Sequence, residues 1–214
     1  MDLTRRAGIG LFTPISFSLS SGHFASSLRR RARDRAGQPL PWYTYPAIDF
    51  LSTLNFEARV VLEFGGGQST LWWSRRAKAV LTIESDEQWF QRLLKCPEVR
   101  DHVTCVLRED PDEFAAYPRG REFDIVVIDG GDRRKCAETA LTVVASDGMV
   151  ILDDSQGFWG PEGTYPIVEL FRSNGFSRVD FYGYAPAVYR PHCTSIFFRP
   201  SGWVFRGDTP PRRT

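Results

Sequence analysis

Val60-Val61-Leu62-Glu63-Phe64-Gly65-Gly66-Gly67-Gln68-Ser69-Thr70 is an apolar run that ends on an acid and opens into glycines. A helical-looking segment, Leu71-Trp72-Trp73-Ser74-Arg75-Arg76, follows directly. A buried strand that turns through glycines into a helix leaves bare backbone at a helix N-terminus, where a ligand can approach closely. The next apolar run, Ala79-Val80-Leu81-Thr82-Ile83, also ends on an acid, Glu84. Two such strands with terminal carboxylates predict a nucleoside held over the edge of a parallel sheet.

Working outward, strands are predicted over 59–64, 79–83, 103–107, 123–128 and 149–152. Helices are predicted between them and beyond, over 69–77, 86–95, 112–117, 133–145 and 164–173. Unbroken apolar runs such as Ile125-Val126-Val127-Ile128 suit parallel strands covered on both faces. Two last strands, 177–182 and 194–198, have no helix between them and pair most easily as an antiparallel hairpin. The fold class is therefore α/β: a Rossmann-like doubly wound sheet, mostly parallel, with a C-terminal antiparallel β-hairpin at one edge.

Ahead of the sheet, 45–54 reads as a helix with Ile48, Leu51 and Leu54 on one face. Residues 24–36 read as a basic helix, with Arg29, Arg30, Arg31, Arg33 and Arg35 against Asp34, broken by Gly37 and Pro39-Leu40-Pro41. Pro14 to Gly22 shows no clear period. The expected organisation is an N-terminal arm over 1–40, one domain over 41–200 and a flexible tail over 201–214.

The chain has 214 residues, enough for one sizeable core. Its net charge of +1 argues against a nucleic-acid binder that works by bulk electrostatics. No apolar run reaches the roughly 18 residues of a membrane span. Arg5 and Arg6 are not followed by the apolar stretch and small-residue cleavage site of a signal peptide. Cys96, Cys105, Cys136 and Cys193 lack metal-ligand spacing and read as reduced thiols. A cytoplasmic location follows, with a small-molecule partner, no nucleic acid, no membrane and a possible homo-oligomer through the N-terminal arm.

The glycine turn fails the G-x-G-x-x-G dinucleotide fingerprint, because Thr70 stands at the third glycine position. Glu63 beside the cradle is unfavourable to a pyrophosphate but suits a cationic ligand such as a sulfonium. Here the residues resemble class I S-adenosylmethionine-dependent methyltransferases. That family's acid-x-Gly-x-Gly-x motif is matched by Glu63-x-Gly65-x-Gly67-x-Ser69, with Ser69 at the usual third glycine. The resemblance covers roughly 60–200. It implies S-adenosylmethionine as cofactor, held by Glu63, Gly65, Gly66, Gly67, Ser69 and Glu84, with Asp129 at its edge. Glu84 is where the family holds the ribose hydroxyls, and a carboxylate accepting from a vicinal diol agrees with that; the other reading is a solvated acid at a helix N-cap. After the third strand, Glu109-Asp110 reads either as a contact to the adenine, through Asp110, or as a surface loop.

Ile128-Asp129-Gly130-Gly131-Asp132-Arg133 follows the fourth strand, and Met149-Val150-Ile151-Leu152 ends the fifth on Asp153-Asp154. Carboxyl ends of strands are where open α/β sheets bind ligands. Three close carboxylates need a compensating charge, and Mg²⁺ can supply it through oxygen ligands. The layout resembles the metal-dependent catechol-type O-methyltransferases, with Asp129, Asp153 and Asp154 as the metal ligands and Asp154 where the family has an amide. The alternative is that Asp129 caps a helix and Arg133 or Arg134 pairs with Asp153 or Asp154. Without metal, Asp129 or Asp154 is the general base on an acceptor hydroxyl.

His192 reads as an exposed loop histidine, with a base as its second reading. His23 and His102 carry weaker signals still. Trp42, Tyr43 and Tyr45 either roof the cofactor or pack the arm onto the core, and Trp72 and Trp73 read as helix packing. The tract from Pro41 to Leu51 looks like small bacterial methyltransferase-like proteins found near glycan or secondary-metabolite genes. The expected function is methyl transfer from S-adenosylmethionine to an oxygen of a small acceptor: a sugar, a phenol or a secondary metabolite. The alternatives are a catalytically inactive binding or assembly module and, disfavoured by Thr70 and Glu63, an NAD-dependent oxidoreductase.

Overall fold

Alternation of apolar strands with helices produces one seven-stranded sheet, as described by the computed structural model over residues 3–116, 120–157 and 164–205. The strands are β1 (Val60–Phe64), β2 (Ala79–Glu84), β3 (Val103–Leu107), β4 (Phe123–Ile128), β5 (Val144–Leu152), β6 (Ser177–Gly183) and β7 (His192–Phe198). Their order is β3-β2-β1-β4-β5-β7-β6. β1 to β5 are parallel, while β7 runs antiparallel to both β5 and β6. The predicted terminal hairpin thus extends the sheet past β5, with β7 inside and β6 at the edge.

The two-residue side-chain period of the strands divides the core into two layers. Val61, Val80, Ile125, Val127, Met149 and Ile151 face α3 (Tyr45–Ser52) and α4 (Gln68–Ser74), where Trp72 and Trp73 are fully buried. Phe56 meets both indoles edge-on, at 6.0 and 5.0 Å. Leu62, Phe64, Leu81, Ile83, Val126, Ile128 and Val150 face α6 (Pro111–Ala116), α7 (Arg133–Val143) and α8 (Thr164–Ser173). α5 (Glu87–Leu94) follows β2. Burial of each large core side chain contributes about 2 kcal/mol or more.

The order in which strands are connected reverses between β1 and β4. From β1 the connections run outward to β2 and β3; from β4 they run the other way to β5. The connections that leave neighbouring strands there head in opposite directions, which forms a crevice at the carboxyl ends of the sheet. Glu63, Glu84, Asp129, Asp153 and Asp154 all stand at these ends.

Four segments differ from the sequence reading. α1 (Leu3–Ser20) is a helix that runs through Pro14, where no period was visible. Its end is secured by Ser20 and Ser21, whose hydroxyls donate to the Phe17 carbonyl. The basic helix is short. α2 spans His23–Arg29, and Arg30 is left-handed at φ 49°. The Ser26 hydroxyl then clamps Arg33, donating to its carbonyl and accepting from its N–H, both at 2.9 Å. Arg33 bridges to Pro39 across a turn and pairs with Glu98, so the arginines do not line one helical face. β5 begins at Val144, five residues before the expected start, because Ala145-Ser146-Asp147-Gly148 masks a strand in polar and small residues. Of the predicted flexible tail over 201–214, residues 206–214 lie outside the described residues, whereas Trp203, in a single 3₁₀ turn (Trp203–Phe205), is buried and meets Phe56 edge-on at 5.8 Å.

Candidate active site

Each glycine of the turn has a different reason to be glycine. Gly65 has φ +95°, and a Cβ there would stand 2.8 Å from the Asp129 carbonyl oxygen. The β1 and β4 turns therefore approach backbone to backbone at the switch point, with no room for a side chain between them. A Cβ on Gly66 would stand 2.7 Å from Thr82 Cγ2. Gly67 is extended, and a Cβ there would meet nothing within 4 Å. The turn is packed on its strand side and open at Gly67.

Glu63 is fully buried under this turn. Its Oε2 accepts from the hydroxyls of Thr70 (2.5 Å) and Thr82 (2.9 Å). Thr70 Oγ1 in turn accepts from the Gly67 N–H at 3.0 Å. Burial pushes the Glu63 carboxyl up to about 7, against the pull of the Ser69, Thr70 and Thr82 hydroxyls. Its Oε1 has no hydrogen-bond partner among the described residues. A buried acceptor of this kind costs free energy until a donor or cation meets it.

Glu84 is also buried, and it is not the helix cap. Asp86 caps α5, accepting from the Trp89 N–H at 2.8 Å. Glu84 Oε1 accepts from the Ser85 and Asp86 N–H groups, and Oε2 from the Gly66 N–H, each at 2.8 Å. These use three of roughly four acceptor positions, leaving about one for a ligand hydroxyl rather than the pair expected from sequence. Asp110 is exposed and caps α6, accepting from the Asp112 and Glu113 N–H groups at 2.9 and 3.0 Å. Trp42 packs edge-on against the part-exposed Trp89 at 6.4 Å. Tyr43 is core, its hydroxyl accepting from Trp73 Nε1 at 3.2 Å.

On the β4–β5 side the organising group is Arg133. Its Nη2 lies 3.4 Å from Asp129 Oδ1 and 4.0 Å from Asp154 Oδ2, and its Nη1 donates to the Asp153 carbonyl. The cap of α7 is Asp132, not Asp129: Asp132 Oδ1 accepts from the Arg134 and Lys135 N–H groups at 3.1 Å. Burial, then the Asp153 carboxylate, push the Asp129 carboxyl well above its usual range, with Arg133 opposing. Asp153 is buried and pushed up to about 7 by burial, partly offset by the Thr194 hydroxyl, which donates to its Oδ1 at 2.6 Å. Asp154 is left-handed at φ 49°.

His192 corrects the sequence reading. It is the first residue of β7, buried, and not an exposed loop side chain. Its Nε2 lies 3.9 Å from Asp153 Oδ1 and 3.9 Å from Asp154 Oδ1, and has no hydrogen-bond partner among the described residues. Among the described residues, the group with metal-ligand proximity is Asp153, Asp154 and His192. The predicted magnesium trio of Asp129, Asp153 and Asp154 is not gathered, because the Arg133 guanidinium stands between Asp129 and Asp154.

Solved structures share this architecture. A candidate O-methyltransferase from Klebsiella pneumoniae aligns with a TM-score of 0.59 at 19% identity, over 77% of this chain and 84% of its own. The O-methyltransferase TomG from Streptomyces achromogenes, solved with SAM, gives 0.54 at 19%, over 71% and 77%. The N-methyltransferase NodS from Bradyrhizobium japonicum WM9, solved with S-adenosyl-L-homocysteine, gives 0.53 at 15%, over 71% and 82%. At these identities the likeness is one of fold. A search of curated proteins finds no significant match. The family model described as a methyltransferase domain matches residues 62–155. Over those residues the chain is similar to methyltransferase domains, and over most of its length it shares their fold.

The matched span runs from within β1 to just past β5, and contains all five strand-tip carboxylates. His192 and Thr194 reach the same place from outside it. Thr70 and Thr82, which hold Glu63, escaped the sequence reading. Thr70 was legible only as a missing glycine, although a hydroxyl three residues into a helix is a known partner for the N-cap N–H.

Proposed function

We propose that this chain is an S-adenosylmethionine-dependent methyltransferase acting on an oxygen of a small acceptor: a sugar, a phenol or a secondary metabolite. The observation that carries this reading is the open peptide edge at Gly67, set beside two buried carboxylates, one with an unsatisfied oxygen. Glu63, Gly65, Gly66, Gly67, Ser69 and Glu84 would hold the cofactor, which supplies an electrophilic methyl carbon when bound. Carboxylates at this edge favour a cationic ligand over a pyrophosphate. Glu84 keeps one acceptor position for a ribose hydroxyl.

Oxygen is favoured over nitrogen by the presence of a proton acceptor, since a hydroxyl must lose its proton as it attacks. His192 Nε2 is that acceptor, and the Asp153 and Asp154 carboxylates stabilise the imidazolium that forms. The chain's remaining contribution is alignment of the two reactants. Arg133 supplies the countercharge for Asp129 and Asp154, so the proposed reaction uses no Mg²⁺.

Calorimetry with S-adenosylhomocysteine tests the cofactor site. Micromolar binding is expected, weakened at least about tenfold in Gly66→Val, whose side chain would collide with Thr82. Absence of binding by the folded wild-type chain overturns the reading. Methyl transfer to a panel of hydroxyl and amine acceptors, followed by mass spectrometry, tests the oxygen assignment; turnover of amines alone overturns it.

A further inference from the structure

The surplus of positive charge in this chain is concentrated at one end. Residues 1–36 hold seven arginines and two aspartates, while the whole chain has a net charge of +1, so the remainder is net acidic. Between Arg6 and Arg29 no acidic residue, lysine or arginine occurs. That uncharged stretch covers most of α1 and α2, and most of its large apolar side chains face solvent. Ile9, Leu11, Phe12, Ile15 and Leu19 are 51–70% exposed, and Phe24 and Leu28, one turn apart on α2, are 53% and 71% exposed.

The pattern on α1 has a direction. At about 100° per residue, Ile9, Leu11, Phe12, Ile15 and Leu19 fall on one arc of roughly 160°. Phe17 points the opposite way, and its ring packs edge-on against Tyr45 of α3 at 5.2 Å. α1 thus touches the body through Phe17 on one side and offers a row of five large apolar groups on the other. A contiguous apolar face of this kind on a helix with few contacts marks a surface that is covered in use.

We propose that the α1–α2 arm docks onto an anionic lipid surface. The apolar row enters the interface, and Arg29, Arg30, Arg31 and Arg35, all exposed, meet the headgroups. Charge complementarity decides the occupant: a second copy of the chain would bring up the same arginine-rich arm, whereas an anionic bilayer supplies the opposite sign. No described helix is long and apolar enough to cross a membrane, so the arm lies on the surface. This inference does not depend on the methyl acceptor or the cofactor.

Co-sedimentation of the full chain with vesicles is the test. Vesicles of equimolar phosphatidylglycerol and phosphatidylcholine should carry the protein down, and pure phosphatidylcholine vesicles should not. Leu11→Ser with Ile15→Ser and Leu19→Ser should lower the affinity at least about tenfold. Arg29→Gln with Arg30→Gln and Arg31→Gln should lower it about a hundred-fold. These side chains are exposed, and an unchanged circular dichroism spectrum confirms that each variant is folded. Equal binding to both kinds of vesicle overturns the proposal. So does failure to bind either, including the case in which sedimentation equilibrium shows a dimer that the apolar variant dissociates.

Discussion

Arg133 and Asp129, four residues apart at the start of α7, face each other at 3.4 Å, and the same guanidinium nitrogen lies 4.0 Å from Asp154. A fixed cation therefore stands where a group of strand-tip carboxylates would otherwise need a bound one. The wild-type protein should show the same melting temperature and methyl-transfer rate in EDTA and in millimolar Mg²⁺. Arg133→Ala should lose about 1–2 kcal/mol, a modest figure because all three side chains keep some solvent contact. It should also gain what the wild type lacks: a rise of at least about 2 °C in melting temperature on adding Mg²⁺. Differential scanning fluorimetry reads both. A wild-type rise equal to that of the variant would refute the assignment of Arg133 as the countercharge.

Glu63 makes a pH prediction. Its carboxyl is raised to about 7 in the folded chain by burial, from an ordinary value of 4.5. The protonated form is thus favoured by folding. Stability from this group is fully present below pH about 4.5 and is lost as pH rises through 7. Glu63→Gln removes the titration while keeping a hydrogen-bonding side chain. Its stability relative to wild type should improve steadily from pH 5 to pH 8, by on the order of 3 kcal/mol across the window. The cofactor acts in the reverse direction, because a cationic ligand favours the ionised acid. S-Adenosylmethionine affinity should therefore weaken as pH falls from 8 to 6 in wild type and stay flat in Glu63→Gln. Calorimetry with matched pH series measures this, and parallel curves for the two proteins would count against it.

Thr70 ties the glycine turn to the acid beneath it. Its hydroxyl donates to Glu63 Oε2 and accepts from the Gly67 N–H. Thr70→Val keeps the shape and removes both bonds. The cost should be about 1–3 kcal/mol in urea unfolding, because Glu63 loses a hydroxyl donor at a buried site. S-Adenosylhomocysteine affinity should fall with it, as the Gly67 peptide loses its tether. Thr70→Ser restores the hydroxyl and should recover most of both, which a simple packing role would not predict.

The parts of the fold that were legible in sequence are those where burial imposes a period. Ile125-Val126-Val127-Ile128 and Val60-Val61-Leu62 admit only a covered strand, and the glycine turn with its two acids locates the crevice. Three features were hidden for identifiable reasons. α1 has Gly8, Gly10 and Pro14 in its interior, and its large apolar residues face water rather than a core. β5 opens on Ala145-Ser146-Asp147-Gly148, whose polarity resembles a turn although its backbone is a strand. His192 follows Arg190-Pro191, which reads as loop, yet β7 is an inner strand and every one of its residues is buried. The role of Arg133 depends on three-dimensional proximity across two strand tips, which spacing along the chain can pose as an alternative but cannot decide.

His192 and Asp153 give the last prediction, which turns on Thr194. The Thr44 N–H donates to Thr194 Oγ1 at 3.0 Å, and Thr194 Oγ1 donates to Asp153 Oδ1 at 2.6 Å. This relay pins the segment before α3 to the carboxylate beside His192 and pulls the Asp153 carboxyl down from where burial alone would put it. If His192 takes the acceptor's proton, His192→Asn should lower kcat about a hundred-fold or more, with S-adenosylhomocysteine affinity unchanged. Thr194→Val should leave His192 in place but let the Asp153 carboxyl rise above about 7. An ionised Asp153 is what steadies the imidazolium, so the rate should fall on the acid side of the profile through its ionisation. In Thr194→Val that fall should begin at higher pH, while the plateau rate at high pH stays close to wild type. A pH profile of kcat separates this from mere destabilisation, which would lower the whole curve without moving its acid limb.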